Sequence, residues 1–348
     1  MKLRLLLSGL CLAALLAGCD PTPTLTVQPT LSATPAESAA ISVYFTDPQS
    51  EHAGPDEVLA QAIAAAQTSV DMAMFNLSLP SIRDALLDAF NRGVTVRLVV
   101  DSETYNDAVP ERLSAAGITV ISDRRPELMH NKFTILDGQE VWTGSLNLST
   151  GGTYSDYNNL VRIRSTRLAQ DYTAEFEEMF LDDRFGSNSP ANTPYPRITL
   201  DGRTLEVYFL PEDDVEDRLL ELVGGARESV NFLAYSLTLD YLAVTLTGLA
   251  QDGVSVRGVM DAEQAASNQG GEYERLQDAG LDVRLDPFDG LMHHKVIVID
   301  GQVVVFGSAN FTTGGLFKND ENLIILDDPD IARLFETEFE RIYMLSQP

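Results

Sequence analysis

The sequence predicts an α/β fold made of two similar halves, and three observations carry that expectation. Short β-branched runs alternate with helical patterns, the order of those runs recurs along the chain, and one stretch of nineteen residues is nearly written twice. That stretch is MHNKFTILDGQEVWTGSLN, beginning at Met129, and it returns at Met292 as MHHKVIVIDGQVVVFGSAN. A length of 348 residues suits two domains, each able to bury its own apolar interior.

The first eighteen residues belong to neither half. Lys2 and Arg4 precede an apolar run from Leu5 to Leu16 that is too short to span a bilayer, which is the pattern of an export signal. It ends in Leu16-Ala17-Gly18-Cys19, small residues before a cysteine, and so resembles the lipobox of bacterial lipoproteins. The resemblance implies cleavage before Cys19, lipidation of its thiol, and a chain anchored to the cell membrane facing outside the cytoplasm; ordinary secretion is the alternative. Residues 19–40 are rich in Pro, Thr and Ser and read as an extended tether. The only other cysteine, Cys11, lies within the signal, so the mature chain has no cysteine pair and must be held by packing.

The first domain is expected over 41–185. ISVYF from Ile41 and VTVRLVV from Val94 are strand-like, while DEVLAQAIAAAQ and SIRDALLDAFNRG carry a helical period. The second domain, 204–348, repeats this order. Val43-Tyr44-Phe45 is answered by Val207-Tyr208-Phe209, Ser69-Val70 by Ser229-Val230, and GVTVRLVVD ending at Asp101 by GVSVRGVMD ending at Asp261. Each half closes on an amphipathic helix, TRLAQDYTAEFEEMF and DIARLFETEFERIYML. Between them, FGSNSPANTPYPR from Phe185 is rich in Pro, Asn and Ser, and sets a linker over 186–203.

Charge narrows the partners. The formal net charge is −28, and removal of residues 1–18 takes two basic groups with it, leaving 22 Lys+Arg against 52 Asp+Glu, or −30. Such a body repels polyanions, and no basic run exceeds Arg124-Arg125, which weighs against nucleic acid without deciding the matter.

The repeated stretch carries the chemistry. Read as a strand, HNKFTILD places His130 and Lys132 on one face, with Phe133 and Ile135 on the other. Asp137-Gly138 is a tight-turn signature that returns the chain as QEVWTGSLN, where Ser145 and Asn147 again share a face, so four polar groups can converge. His293, Lys295, Ser308 and Asn310 repeat the arrangement, with Asp300-Gly301 at the turn. The mature chain holds only three lysines and four histidines, and these two pairs take two of each. Lysine is retained where a compact positive charge could face a phosphate oxygen. A solvated strand face explains one such copy, not two with matched Gly-Ser-x-Asn tails.

HxK, four residues, Asp, six residues, Gly-Ser-x-Asn resembles the HKD motif of the phospholipase D superfamily, and both copies match it without a gap. The likeness covers roughly residues 41–345. It implies two α/β/α halves related by a pseudo-twofold axis, with both motifs meeting at one active site between them. It further implies that His130 attacks phosphorus to form a phosphohistidine while His293 acts as acid and base, and that Lys132, Lys295, Asn147 and Asn310 hold the nonbridging oxygens. Asp137 and Asp300 lie at odd spacing from their histidines and are expected to be structural. The family also implies a carboxylate shortly after each motif that orients its own histidine. Glu321 in KNDENLIIL fits that place for His293, whereas the aligned position in the first half is Asn158, which leaves the tuning of His130 open.

Of the other histidines, His294 points away from His293 on an extended chain and His52 lies in a loop; neither is expected to act on substrate. No His/Asp/Glu cluster shows metal-ligand spacing and two lysines in the site oppose a divalent cation, so metal-free chemistry without a cofactor is expected. Gly151-Gly152 and Gly314-Gly315 read as turns. The leading expectation is a membrane-tethered enzyme that hydrolyses phospholipid headgroups or transfers the phosphatidyl group, with no obligate protein partner. A nuclease of the same superfamily is the main alternative, and a non-catalytic phosphate-binding lipoprotein on the same scaffold the remote one.

Overall fold

A computed structural model describes residues 40–49, 54–267 and 269–346. The export signal, Cys19, the tether up to residue 39 and His52 lie outside the described residues. The first half runs β1 (Ile41–Phe45), α1 (Pro55–Ala65), β2 (Ser69–Met74), α2 (Pro80–Asn91), β3 (Thr95–Val100), α3 (Ala108–Ala115), β4 (Thr119–Ser122), β5 (Lys132–Leu136), β6 (Glu140–Gly144), α4 (Thr150–Tyr154), β7 (Asn159–Arg164) and α5 (Thr166–Phe180). The second runs β8 (Arg197–Leu200), β9 (Arg203–Leu210), α6 (Glu216–Gly224), β10 (Ser229–Ala234), α7 (Asp240–Gln251), β11 (Ser255–Met260), α8 (Ala262–Ser267), α9 (Tyr273–Asp278), β12 (Asp282–Leu285), β13 (Lys295–Ile299), β14 (Val303–Gly307), α10 (Thr313–Phe317), β15 (Glu321–Asp327) and α11 (Pro329–Leu345). Among the described residues no helix is long and apolar enough to cross a membrane.

The first sheet has the order β1-β7-β6-β5-β2-β3-β4 and the second β12-β11-β10-β13-β14-β15-β9-β8. Apart from the added edge strand β8, these are one topology written twice. The segment 186–203 accordingly contributes structure of its own, a 3-10 turn at Gly186–Asn188 and then β8 paired with β9.

Alternation within each strand feeds two cores. One face of the first sheet buries Val70, Met72 and Leu98 against Leu59, Ile82 and Leu86 of α1 and α2. The matching face of the second buries Val230 and Phe232 against Leu219, Leu242 and Leu246 of α6 and α7. The opposite faces of both sheets share one core with the closing helices, in which Phe133, Ile135 and Val161 join Tyr172 and Phe176 of α5, and Val296, Phe306 and Ile324 join Phe335 and Phe339 of α11. Tyr172 meets both Phe133 and Phe209 edge to face, and Phe335 meets Phe45, so aromatic contacts cross from one half to the other. Both halves lie within a single compact unit.

Caps place those helices. Ser165 Oγ accepts from the Leu168 amide at the start of α5 at 3.2 Å, and Asp328 Oδ1 accepts from Asp330 and Ile331 ahead of α11, whose first residue is Pro329. At the motif turns, Asp137 and Gly138 have φ of 55° and 61° and the Gln139 amide donates to Leu136 O, so both central residues are left-handed as a type I′ turn demands.

The two motif aspartates hold the loop before the neighbouring strand. Asp137 accepts from the Gln67, Thr68 and Ser69 amides, and Asp300 from those of Arg227, Glu228 and Ser229. These amides hold both carboxyls below the ordinary carboxylate range. A lowered native value contributes stability above the unfolded value that is lost as pH falls through the native one. Asp137→Ala is therefore expected to cost ~1–3 kcal/mol at pH 7 and far less near pH 2, as read by urea denaturation at both pH values. An equal loss at both would show that the charge is not what binds the loop.

Candidate active site

The entrances to β5 and β13 are not held by their own halves alone. The His130 amide donates to Asp320 O at 2.9 Å, and the His293 amide donates to Tyr157 O at 2.9 Å, each within a short parallel bridge to the opposite half. Asp101 Oδ2 then accepts from the Met129 amide and Asp261 Oδ2 from the Met292 amide, so the repeated aspartates that end GVTVRLVVD and GVSVRGVMD fix both motif entrances.

This exchange decides which group meets which imidazole. Beside Asp320 comes Glu321, whose Oε1 lies 2.6 Å from His130 Nδ1; beside Tyr157 comes Asn158, whose Oδ1 lies 2.9 Å from His293 Nδ1. The expectation that Glu321 orients the histidine of its own half is therefore corrected. Pairing runs across the interface, His130 has the carboxylate, and it is His293 that has the amide.

Both ring tautomers follow from these contacts. Asn158 Nδ2 donates to Gly152 O at 2.9 Å and Asn158 Oδ1 accepts from Ser145 Oγ at 2.8 Å, which turns the amide oxygen toward His293. His293 Nδ1 must then carry hydrogen, as must His130 Nδ1 against the carboxylate, so that Nε2 of each ring is left for chemistry.

Phe75 packs edge to face on His130 with ring centres 4.8 Å apart, and Tyr235 does the same to His293 at 4.7 Å. The Lys132 ammonium donates to His130 O at 2.8 Å and lies 5.1 Å from the centre of Phe75; Lys295 donates to His293 O at 2.7 Å and lies 4.6 Å from Tyr235. Both lysines are 1% exposed. Neither aromatic residue was singled out in the sequence, although each stands directly after a repeated strand, β2 or β10.

Ser145 and Ser308 do not converge with the lysines. They turn back to accept the amides of Asn159 and Asn322 at 3.1 and 3.0 Å, fastening β6 to β7 and β14 to β15. The preceding glycines are needed for that approach: a Cβ on Gly144 would stand 2.4 Å from Asn159 O, and one on Gly307 2.2 Å from Asn322 O. Asn147 and Asn310 each keep a buried Oδ1 with no hydrogen-bond partner among the described residues. His294 is fully buried and joins the interface, its Nδ1 3.0 Å from Asn159 Nδ2 and its Nε2 3.3 Å from Glu338 Oε1.

Burial governs the electrostatics. It pushes His130 down to about 4, with Lys132 and Lys295 adding to the fall and Glu321 opposing it. His293 is driven well below its ordinary value by burial and then by the two lysines. Lys132 falls to about 7 through burial, against the pull of Glu321 and Asp101, and Lys295 falls well below its ordinary value for the same leading reason. Two imidazoles and two amines thus share one buried site with one carboxylate. An anion entering it would favour the protonated form of all four.

Fold and site together define a two-lobed protein with a buried centre of paired histidines and lysines. The family model described as "Cardiolipin synthase, PLD-like domain" matches residues 59–180 and 219–343, and the chain belongs to this phospholipase D-like family. Among curated relatives, the mitochondrial cardiolipin hydrolase of Homo sapiens is 38% identical over 131 residues, 38% of this chain and 52% of that protein. Cardiolipin synthase A of Proteus mirabilis is 27% identical over 285 residues, 72% of this chain and 58% of that protein. The chain spans about half the length of the curated relatives it matches. A solved phosphatidylserine synthase from Haemophilus influenzae superposes with a TM-score of 0.66 over 88% of this chain and 86% of its own, at 12% identity, a likeness of fold.

Proposed function

We propose that the protein is a phosphodiesterase of the phospholipase D type that cleaves or transfers phospholipid headgroups through a phosphohistidine. The observation that carries this reading is the 2.6 Å contact of Glu321 with His130 Nδ1, which leaves Nε2 available as a nucleophile. His130 Nε2 attacks phosphorus; the P–O bond to the departing alcohol breaks, and its oxygen takes the proton from His293 Nε2. Water then gives a proton to His293 and attacks phosphorus, and the P–N bond breaks to restore His130. An alcohol in place of water completes transfer. Lys132 and Lys295 neutralise the nonbridging oxygens, with Asn147 and Asn310 as further donors.

Substrate class follows from charge and tether, supported by relatives whose names specify cardiolipin, a phospholipid. A body of formal charge −28 is repelled by polyanions, and at the ~10 Å screening length of 0.1 M salt that repulsion persists at contact. We further propose that Cys19 carries a lipid and that the tether brings the site to a bilayer, raising local phospholipid concentration. Phosphatidylethanolamine vesicles, cardiolipin vesicles and single-stranded DNA at equal phosphate should distinguish the readings. Headgroup or phosphatidic acid release faster than DNA cleavage is expected. Efficient DNA cleavage with intact vesicles makes the nuclease the correct reading.

A further inference from the structure

The pseudo-twofold relation breaks at one place outside the reacting groups. The closing helices align as Glu175-Phe176-Glu177-Glu178 and Glu338-Phe339-Glu340-Arg341. In both, the first glutamate meets the middle residue of its own HxK motif: Asn131 Nδ2 donates to Glu175 Oε1 at 3.3 Å, and His294 Nε2 lies 3.3 Å from Glu338 Oε1. In the second half the charge is balanced internally. The Arg341 guanidinium donates to Glu338 Oε1 and Oε2 at 2.7 and 2.8 Å and lies 3.6 Å from Asp47 of the other half.

The first half has a carboxylate where that guanidinium belongs. Glu178 occupies the position of Arg341, and Glu212, from the loop after β9, supplies a third acid. One oxygen of each of Glu175, Glu178 and Glu212 lies within 4.8 Å of the others. Glu175 and Glu178 are 3% and 7% exposed, and Glu178 Oε2 and Glu212 Oε2 have no hydrogen-bond partner among the described residues. Burial raises all three carboxyls, Glu212 to about 7, and at Glu178 the nearby Asn192 and Arg184 offset that rise only in part. Two oxygens bound to one Ca²⁺ at ~2.4 Å can be no more than ~5 Å apart, a limit these three oxygens satisfy.

We propose that Glu175, Glu178 and Glu212 bind one divalent cation of the calcium type between the halves, in the place that Arg341 fills on the symmetry-related side. All three donors are carboxylate oxygens, the set a hard cation takes, and binding displaces the protons that the buried acids would otherwise share. The ion's link to the motif is Asn131, which stands between His130 and Lys132 and also accepts from Asn322 Nδ2 at 2.8 Å. Its role is to hold the two halves together.

The test uses the full chain, freed of metal with EDTA and melted at pH 7.5 and fixed ionic strength with and without 1 mM CaCl2. The wild type should gain ~3 °C or more with calcium. Glu178→Gln should lose most of that gain. Glu178→Arg, which installs the guanidinium of the other half, should lose it entirely while melting in EDTA no lower than the wild type. No calcium shift in the wild type, or a shift of the same size in both variants, overturns the proposal; the second outcome would assign calcium to the acidic surface instead.

Discussion

Replacing either His130 or His293 by asparagine is expected to lower turnover by ~10⁴-fold or more with the circular dichroism spectrum unchanged, because nucleophile and acid stand in one path and neither can substitute for the other. The two variants should nevertheless fail differently. A phosphodiester with a p-nitrophenol leaving group needs little protonation, so His293→Asn should still release one equivalent of nitrophenol and accumulate phosphate on His130. His130→Asn should release none. Mass spectrometry of the trapped protein reads the site directly, and label on His293 in the His130 variant would reverse the two roles.

The second large effect falls on the crossed pair. Glu321 is fully buried and its Oε1 is 2.6 Å from His130, where it raises the proton affinity of a ring that burial pushes down to about 4. Glu321→Gln removes that support, makes His130 a weaker base and nucleophile, and is expected to cut kcat by ~10²–10³-fold. Because kcat/KM follows the free protein, its acid limb reports His130 and its basic limb His293, and both rings titrate below 6.5. The optimum is therefore expected on the acid side of 6.5. Glu321→Gln should move the acid limb to lower pH, while Asn158→Asp, which sets a carboxylate beside His293, should move the basic limb to higher pH. A pH profile in which Glu321→Gln shifts only the basic limb would show that Glu321 serves the general acid.

Those two side chains also mark where reading the chain stopped. The duplication, the alternation of strands and helices, the closing helix over Thr166–Phe180 and the Asp-Gly turns are local matters, fixed by hydrophobic period and by which residues tolerate positive φ. His130, Lys132, His293 and Lys295 were legible for a similar reason, since strand spacing alone puts each pair on one face and the repeat supplies a second pair.

What the sequence could not decide is anything that depends on how the halves meet. Glu321 follows the histidine of its own motif, His293, by twenty-eight positions along the chain, yet the bridge between Met129 and Asp320 sets it against the histidine of the other half. The same exchange gives His293 the neutral Asn158, and so makes chemically unlike two histidines that the repeat writes alike. The lysines, legible as cations of the site, are buried at 1% exposure, and that desolvation, not their sequence neighbours, lowers their proton affinity. Spacing along a strand determines which groups point together, whereas charge state and partner choice depend on what lies across a few ångströms of space, and only the assembled pair of lobes determines that.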